Sequence, residues 1–189
     1  MIKVKNINLF INLLCIVILF IFSSCGKDGN DSTGVSGKII SFNSSGVPVD
    51  NSVYFEKLES DNDDIYMALK VKGGADVFGC AIEINYDSTM LKYLSYSRGD
   101  YLGTAQDSIL YAMLDKGQEG ILLVGSDKKG AVPGANGDGY LVIIVFKVID
   151  LPTSTDIGFN VTNSCLKSTS ASDPDISGTI WLGGTLSRQ

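Results

Sequence analysis

The sequence contains no histidine. That absence removes the usual general base, so Ser-His-Asp and Cys-His catalysis, histidine-ligated metal enzymes and imidazole pH switches are excluded within this chain. Basic residues are scarce as well. Fifteen Lys and Arg stand against 21 Asp and Glu, a net charge of −6, so no positive footprint exists for a phosphate backbone and nucleic acid is not an expected partner. Charged residues make up only 19% of the chain, with four prolines, four cysteines and one tryptophan. What is present is 44% hydrophobic residues and 21 glycines over 189 positions, which fits one ordinary domain with appendages.

The first appendage is an address. Lys3 and Lys5 precede an apolar stretch whose last part, Leu13 to Phe22, holds no polar side chain except Cys15, and this predicts a secretory signal over residues 1–24. An uncleaved membrane helix is the alternative, disfavoured because the apolar run falls short of the roughly 20 residues a span needs. Ser23 and Ser24 before Cys25 resemble the lipobox of bacterial lipoproteins, with Phe22 where that pattern usually has leucine. The resemblance implies cleavage before Cys25 and lipidation of its thiol. Cleavage there removes two lysines and no acid, so the exported chain is more acidic than the precursor. Each buried CH₂ contributes about 0.8 kcal/mol, so a multi-chain lipid anchor holds effectively permanently. Gly26, where an aspartate would retain the protein, implies by the same resemblance the outer membrane of the bacterial cell envelope. Residues 25–50, dominated after Cys25 by Gly, Ser, Asn and Asp, bury too little apolar surface to offset chain entropy and are expected to form a tether with a reach of roughly 25–30 Å. Lys38 to Phe42 is a candidate short strand within it.

From residue 51 to 189 the apolar positions fall in short runs between Gly, Asn, Asp and Ser clusters, with no sustained 3.6-residue period. Nine strands are expected: Val53 to Leu58, Ile65 to Val71, Val77 to Tyr86, Leu91 to Tyr96, Ser108 to Leu114, Gly120 to Ser126, Tyr140 to Ile149, Ile157 to Asn163 and Ile176 to Leu182. In the third, Cys80, Ile82, Ile84 and Tyr86 alternate with Ala81, Glu83 and Asn85, which predicts one buried and one presented face. The seventh is apolar on both faces and belongs in the centre of a sheet. Lys72-Gly73-Gly74, Asp115-Lys116-Gly117 and Gly137-Asp138-Gly139 read as turns. The expected fold is all-β: a nine-stranded, jelly-roll-like sandwich of two packed antiparallel sheets.

Tyr86-Asp87-Ser88-Thr89-Met90-Leu91, Arg98-Gly99-Asp100-Tyr101-Leu102 and the strand from Gly137-Asp138-Gly139 to Phe146-Lys147-Val148 resemble the motifs of a cohesin domain. Asp173-Pro174-Asp175-Ile176 and Gly178-Thr179-Ile180-Trp181 resemble its closing turn and last strand, and the likeness spans roughly Val53 to Leu186. Ser88 departs from the proline the family prefers. In physical terms Asp87 is suited to capping a turn, Leu91 to the core, and Gly137 and Gly139 to a tight entry into a central strand. The fold is also shared by certain cellulose-binding modules, and fold alone does not fix function.

The resemblance implies a non-catalytic module that binds a dockerin, a small calcium-loaded helical partner, or another envelope protein, on the sheet holding the eighth, third, sixth and fifth strands. Alternation puts Ala81, Glu83 and Asn85 on that face. The fifth and sixth strands are apolar on both sides, so Tyr111, Met113, Leu123 and Gly125 are candidates whose phase a one-residue register error would invert. Cys80 and Cys165 are either a disulfide, as neighbouring third and eighth strands in cohesins imply, or two separately buried thiols. Neither is expected to be a nucleophile without a base. Asp61-Asn62-Asp63-Asp64 and Asp173-Pro174-Asp175 lack the Gly and Glu positions of an EF-hand and read as solvated turns, so no metal or other cofactor is expected. Glu83, Glu119 and the aspartates show no local pattern that sets a glycosidase carboxylate separation, and no enzyme activity is expected. The alternative function is a carbohydrate-binding module for an envelope polysaccharide. It would require an exposed aromatic strip, for which Tyr93, Tyr96, Tyr101 and Tyr111 are candidates, while Trp181 is expected to pack in the core.

Overall fold

The computed structural model describes residues 40–60, 63–104, 109–172 and 174–189. The signal segment, Cys25 and the first part of the tether lie outside the described residues, as do Asp61, Asn62 and Asp173 of the acidic turns. The strands are β1 (Ile40–Ser44), β2 (Ser52–Lys57), β3 (Asp64–Tyr86), β4 (Leu91–Arg98), β5 (Ile109–Lys116), β6 (Ile121–Lys128), β7 (Ala135–Val148), β8 (Ser154–Phe159), β9 (Cys165–Ser168), β10 (Ile180–Leu182) and β11 (Gly184–Arg188). Two short 3-10 turns, Gly117–Glu119 and Val161–Asn163, interrupt them, and among the described residues no helix is long and apolar enough to cross a membrane.

The spine is β3, 23 residues long, which serves both layers of the sandwich. Its first half pairs with β2 and β7, placing Val53 opposite Val71 and Ile65 opposite Phe146, and the layer is completed by β4 against β7 and by a short parallel pairing of β10 with β2. Its second half pairs with β6, β8 and β9, and that layer is completed by β5 on β6 and by β11 and β1 beyond β8. The change of layer falls where the β3–β7 register shifts, between Val71 and Gly74 and between Gly74 and Val77.

Lys72-Gly73-Gly74, expected as a turn, is therefore a bend inside one continuous strand. Gly73 and Asp76 hold positive φ there, and polar side chains replace the ladder bonds that a bulge removes. The Gly73 N–H donates to Asp138 Oδ1 at 2.7 Å and the Asp76 N–H to Asn136 Oδ1 at 2.9 Å. The Asp76 carboxylate in turn accepts from the Gly134 N–H, from the Thr169 N–H and, at 2.5 Å, from Thr169 Oγ1. Gly137 to Gly139 likewise lies within β7 instead of opening it, because these same side chains keep the two strands paired past the bend.

Two other boundaries move. Ile40–Ser44 pairs with Gly184–Arg188, so the stretch 40–50 belongs to the folded body rather than to a free tether. The expected last strand, Ile176 to Leu182, contributes only Ile180–Leu182 to a strand, and β9 and β11 are additional. Leu91 is fully buried behind the Asp87 turn, whose carboxylate accepts from the Thr89 N–H at 2.8 Å and from Thr89 Oγ1 at 2.6 Å.

The core lies between the layers and is filled from both. Phe55, Met67, Leu69, Leu122, Ile144 and Phe146 are among its fully buried side chains. Rings join the two layers: Phe55 stacks on Phe159 at 4.7 Å, Tyr86 meets Phe146 at 5.1 Å, and Trp181, half-buried, packs on Phe159 at 5.3 Å. Aromatic pairs at these separations add about 0.5–1.5 kcal/mol each beyond their buried area.

Candidate partner-binding face

On the second layer the outward side chains of β3, β6 and β5 fall into register. Ala81 lies opposite Gly125, which lies opposite Ala112; Glu83 lies opposite Leu123, which lies opposite Leu114; Asn85 lies opposite Ile121, which lies opposite Lys116. On the other side of Ala81 stands Cys165 of β9. The central row is thus made of very small residues flanked by leucines, and the result is a shallow apolar depression of about 330 Å³. It is lined by Ala81, Ala112, Leu114, Leu123, Gly125 and Asn163. A Cβ added at Gly125 would meet only Ala112, its Cβ at 3.9 Å and its carbonyl oxygen at 4.0 Å, both ordinary contacts, so the glycine leaves open space above the sheet.

The rim is polar and positioned. The Glu83 carboxylate accepts from Asn160 Nδ2 at 2.8 Å and Asn163 Nδ2 at 2.9 Å, while the Glu83 backbone N–H donates to Ser164 Oγ and its carbonyl accepts from the Asn160 N–H. The segment between β8 and β9 therefore hangs on Glu83. The Asn163 and Asn160 amides hold the Glu83 carboxyl below the usual carboxylate range. A lowered folded-state value means that this contribution is complete above the ordinary glutamate range and is lost as pH falls through the depressed value. Amide exchange at Asn160 and Asn163 is expected to accelerate over that acid interval while β7 stays protected. Unchanged protection of the segment across the interval would contradict it.

At the far end of the face Lys167 pairs with Asp175 of the second acidic turn. That pairing gives Asp175 a structural role. On the near end Lys116 and Glu119 form an exposed pair at 3.8 Å, an arrangement that contributes little to stability.

The structure thus places Ala81, Glu83, Asn85, Leu123 and Gly125 together on one face, and Tyr111 and Met113 elsewhere. Tyr111 pairs with Ser126 and Met113 with Val124, both inward, so the outward phase expected for these two is corrected. The reason is the gap between the layers at the sandwich side, which the Tyr111 ring fills by stacking on Tyr96 at 5.2 Å beneath the Arg98 guanidinium. Leu110, Ala112 and Leu114 take the outward positions instead, with Leu110 58% and Leu114 56% exposed. A strand apolar on both sides gave no phase. The small residues at matching positions of three strands were the signal available.

The four tyrosine candidates for a sugar-stacking strip under the alternative function do not share one exposed face. Tyr101 is buried, Tyr93 and Tyr111 pack against the core, and Tyr96 stacks on Tyr111.

Of the two alternatives left open for the cysteines, the structure has the separate thiols: Cys80 and Cys165 are free, Cys80 buried and Cys165 half-buried. Cys165 pairs with Ala81 on the outward side, whereas Cys80 pairs with Leu166 on the inward side, so the sheet itself separates the two thiols. Burial pushes the Cys80 thiol up to about 12. In the folded chain an alkylating reagent is expected to modify Cys165 and to spare Cys80 until denaturant is added. A Cys80–Cys165 peptide pair linked before reduction would contradict this.

Comparison with known proteins agrees with this architecture. The cohesin domain profile matches residues 57–185, and the chain belongs to the cohesin family. Cohesin domains are non-catalytic binding modules. Among solved structures, the chain is similar to a type I cohesin–dockerin complex from Clostridium thermocellum, at TM-score 0.56 and 18% identity over 70% of this chain and 95% of that one. A type II cohesin domain from the cellulosome of Acetivibrio cellulolyticus gives 0.55 and 15% over 68% and 89%. A non-cellulosomal cohesin from the archaeon Archaeoglobus fulgidus gives 0.51 and 16% over 67% and 82%. At these identities the likeness concerns the fold. No curated protein matches the chain.

Proposed function

We propose that this cohesin domain binds a dockerin-like protein module on the outward face of β3, β6 and β5, and does so while held at the bacterial outer membrane by a lipid on Cys25. The observation that carries the reading is the register of Ala81, Gly125 and Ala112, which leaves a preformed apolar depression between leucines and a hydrogen-bonded polar rim. An apolar centre with a polar rim is the anatomy of a protein-binding surface, and an exposed patch of this kind on a sheet seeks a cover. A helix laid across the small central row would bury the leucines on either side without displacing backbone. The solved cohesin–dockerin complex from Clostridium thermocellum supports this class of partner. The lipid anchor is supported by Ser23-Ser24-Cys25 behind the apolar run and by Gly26 after it.

The test uses the full chain in detergent as bait for the native cell's envelope and secreted fractions. Capture of a protein bearing a calcium-loaded helical module, lost with chelator and weakened by Asn85→Arg, is the expected result. Retention on a glycan with no protein captured would overturn it in favour of the carbohydrate reading. Labelling of Cys25 by a fatty-acid probe in growing cells, abolished by Cys25→Ala, tests the anchor separately.

A further inference from the structure

We propose that β5 is a self-pairing edge, through which two copies of this chain join their sheets about a two-fold axis at Ala112. The edges of the sandwich differ sharply in how they are protected. β1, β9 and β10 are five, four and three residues long. β4 carries a register break between Tyr93 and Ser95 and the charges of Lys92 and Arg98. Breaks, charges and brevity are the devices that keep sheet edges from pairing with other chains. β5 has none of them over most of its length: its eight residues pair with β6 without a register shift, no other strand among the described residues pairs with it, and Ile109 to Leu114 carries neither charge, proline nor glycine.

The side chains along this edge repeat about their centre. In an antiparallel pairing of β5 with a second β5 centred on Ala112, Leu110 faces Leu114 of the second copy, Ala112 faces Ala112, and Tyr111 faces Met113. Two exposed leucines from each copy then cover each other on the outward face, and the inward side chains continue the core. No like charges meet between Ile109 and Asp115. A shift of the register by one residue would set outward side chains against inward ones, and a shift of two would set Leu110 against Lys116 in one direction and against Ala112 in the other, so that of these registers only the Ala112-centred one covers leucine with leucine. Closed two-fold assembly needs a patch that complements itself, and this strand does so in one register. The pairing shares Ala112 and Leu114 with the proposed partner face, but it rests on the free edge of the sheet and is tested with no partner present.

Opposed residues of an antiparallel pair have Cα atoms about 4.5–5.5 Å apart, within the span of a disulfide. Under mild oxidation of the full chain in detergent, Ala112→Cys is therefore expected to convert most of the protein to a covalent dimer. A mixture of Leu110→Cys and Leu114→Cys chains should crosslink in the same way, and Leu110→Cys alone should give no more dimer than the unaltered chain. Without crosslinking, Leu110→Lys with Leu114→Lys should halve the protein mass measured by light scattering after subtraction of detergent. These side chains are exposed, so folding is retained and β-structure by circular dichroism serves as the control. Crosslinking that ignores position, or a unit mass for the unaltered chain at all concentrations, would overturn the proposal.

Discussion

Replacement of Gly125 by arginine is expected to abolish partner binding while leaving the fold intact. The two halves of that expectation rest on different observations. Gly125 lies in the middle of the outward face, with Ala81 on one side and Ala112 on the other, so an arginine there stands in the depression that a partner would fill. A side chain wedged at the centre of an interface forfeits the surrounding contacts together, and central positions dominate binding energy. The loss should be about 3 kcal/mol or more, or ~100-fold in Kd. Folding is spared because Gly125 holds no positive φ and its Cβ position is open apart from ordinary contacts with Ala112, at 3.9 Å to the Cβ and 4.0 Å to the carbonyl oxygen. Binding and unfolding measured on the same preparation separate the two. A variant that binds normally would place the partner elsewhere, and one that unfolds would show that the glycine is needed by the sheet.

Phe146→Ala is expected to act in the opposite way, on stability. Phe146 is fully buried in β7, its ring 5.1 Å from Tyr86 of the other layer and 6.5 Å from Tyr93 of β4. Truncation leaves a cavity between layers that share a single spine and cannot close independently, so the cost should be about 3–5 kcal/mol. For a domain with a total stability of about 5–15 kcal/mol this is a large part of the whole. Urea unfolding should show a midpoint shifted far down with the slope unchanged. A shift corresponding to less than about 1 kcal/mol would mean that the two layers do not depend on this ring.

Much of this architecture could be read from the residues, and what escaped did so for definable reasons. The alternation of Cys80, Ile82, Ile84 and Tyr86 with Ala81, Glu83 and Asn85 set the phase of β3 because each face has its own polarity. The structure has the same phase. β5 offered no such contrast, and its phase is set by Tyr96 and Ser126, residues remote in sequence. Lys72-Gly73-Gly74 has the composition of a turn, yet the side chains that hold it as a bend, Asp138 and Asn136, come from β7 more than sixty residues away or close to it. The choice between a disulfide and two separate thiols stayed open in the sequence for a similar reason. Neighbouring strands bring two backbones together, but which side of the sheet each thiol occupies depends on register, and Cys165 meets Ala81 rather than Cys80. The tyrosine candidates met the same limit, since Tyr101 and Tyr111 are drawn inward by space between layers that no local pattern reports.

The central claim is that a protein module covers the outward face of β3, β6 and β5. Hydrogen exchange of the full chain with and without its captured partner tests it most directly. The account predicts added protection confined to residues 79–85, 110–116 and 121–127 and to the Asn160–Asn163 segment, with β2, β4 and β7 unchanged. Protection centred on β4 and β7 instead, with the Ala81, Gly125 and Ala112 row exchanging as in the free chain, would contradict it.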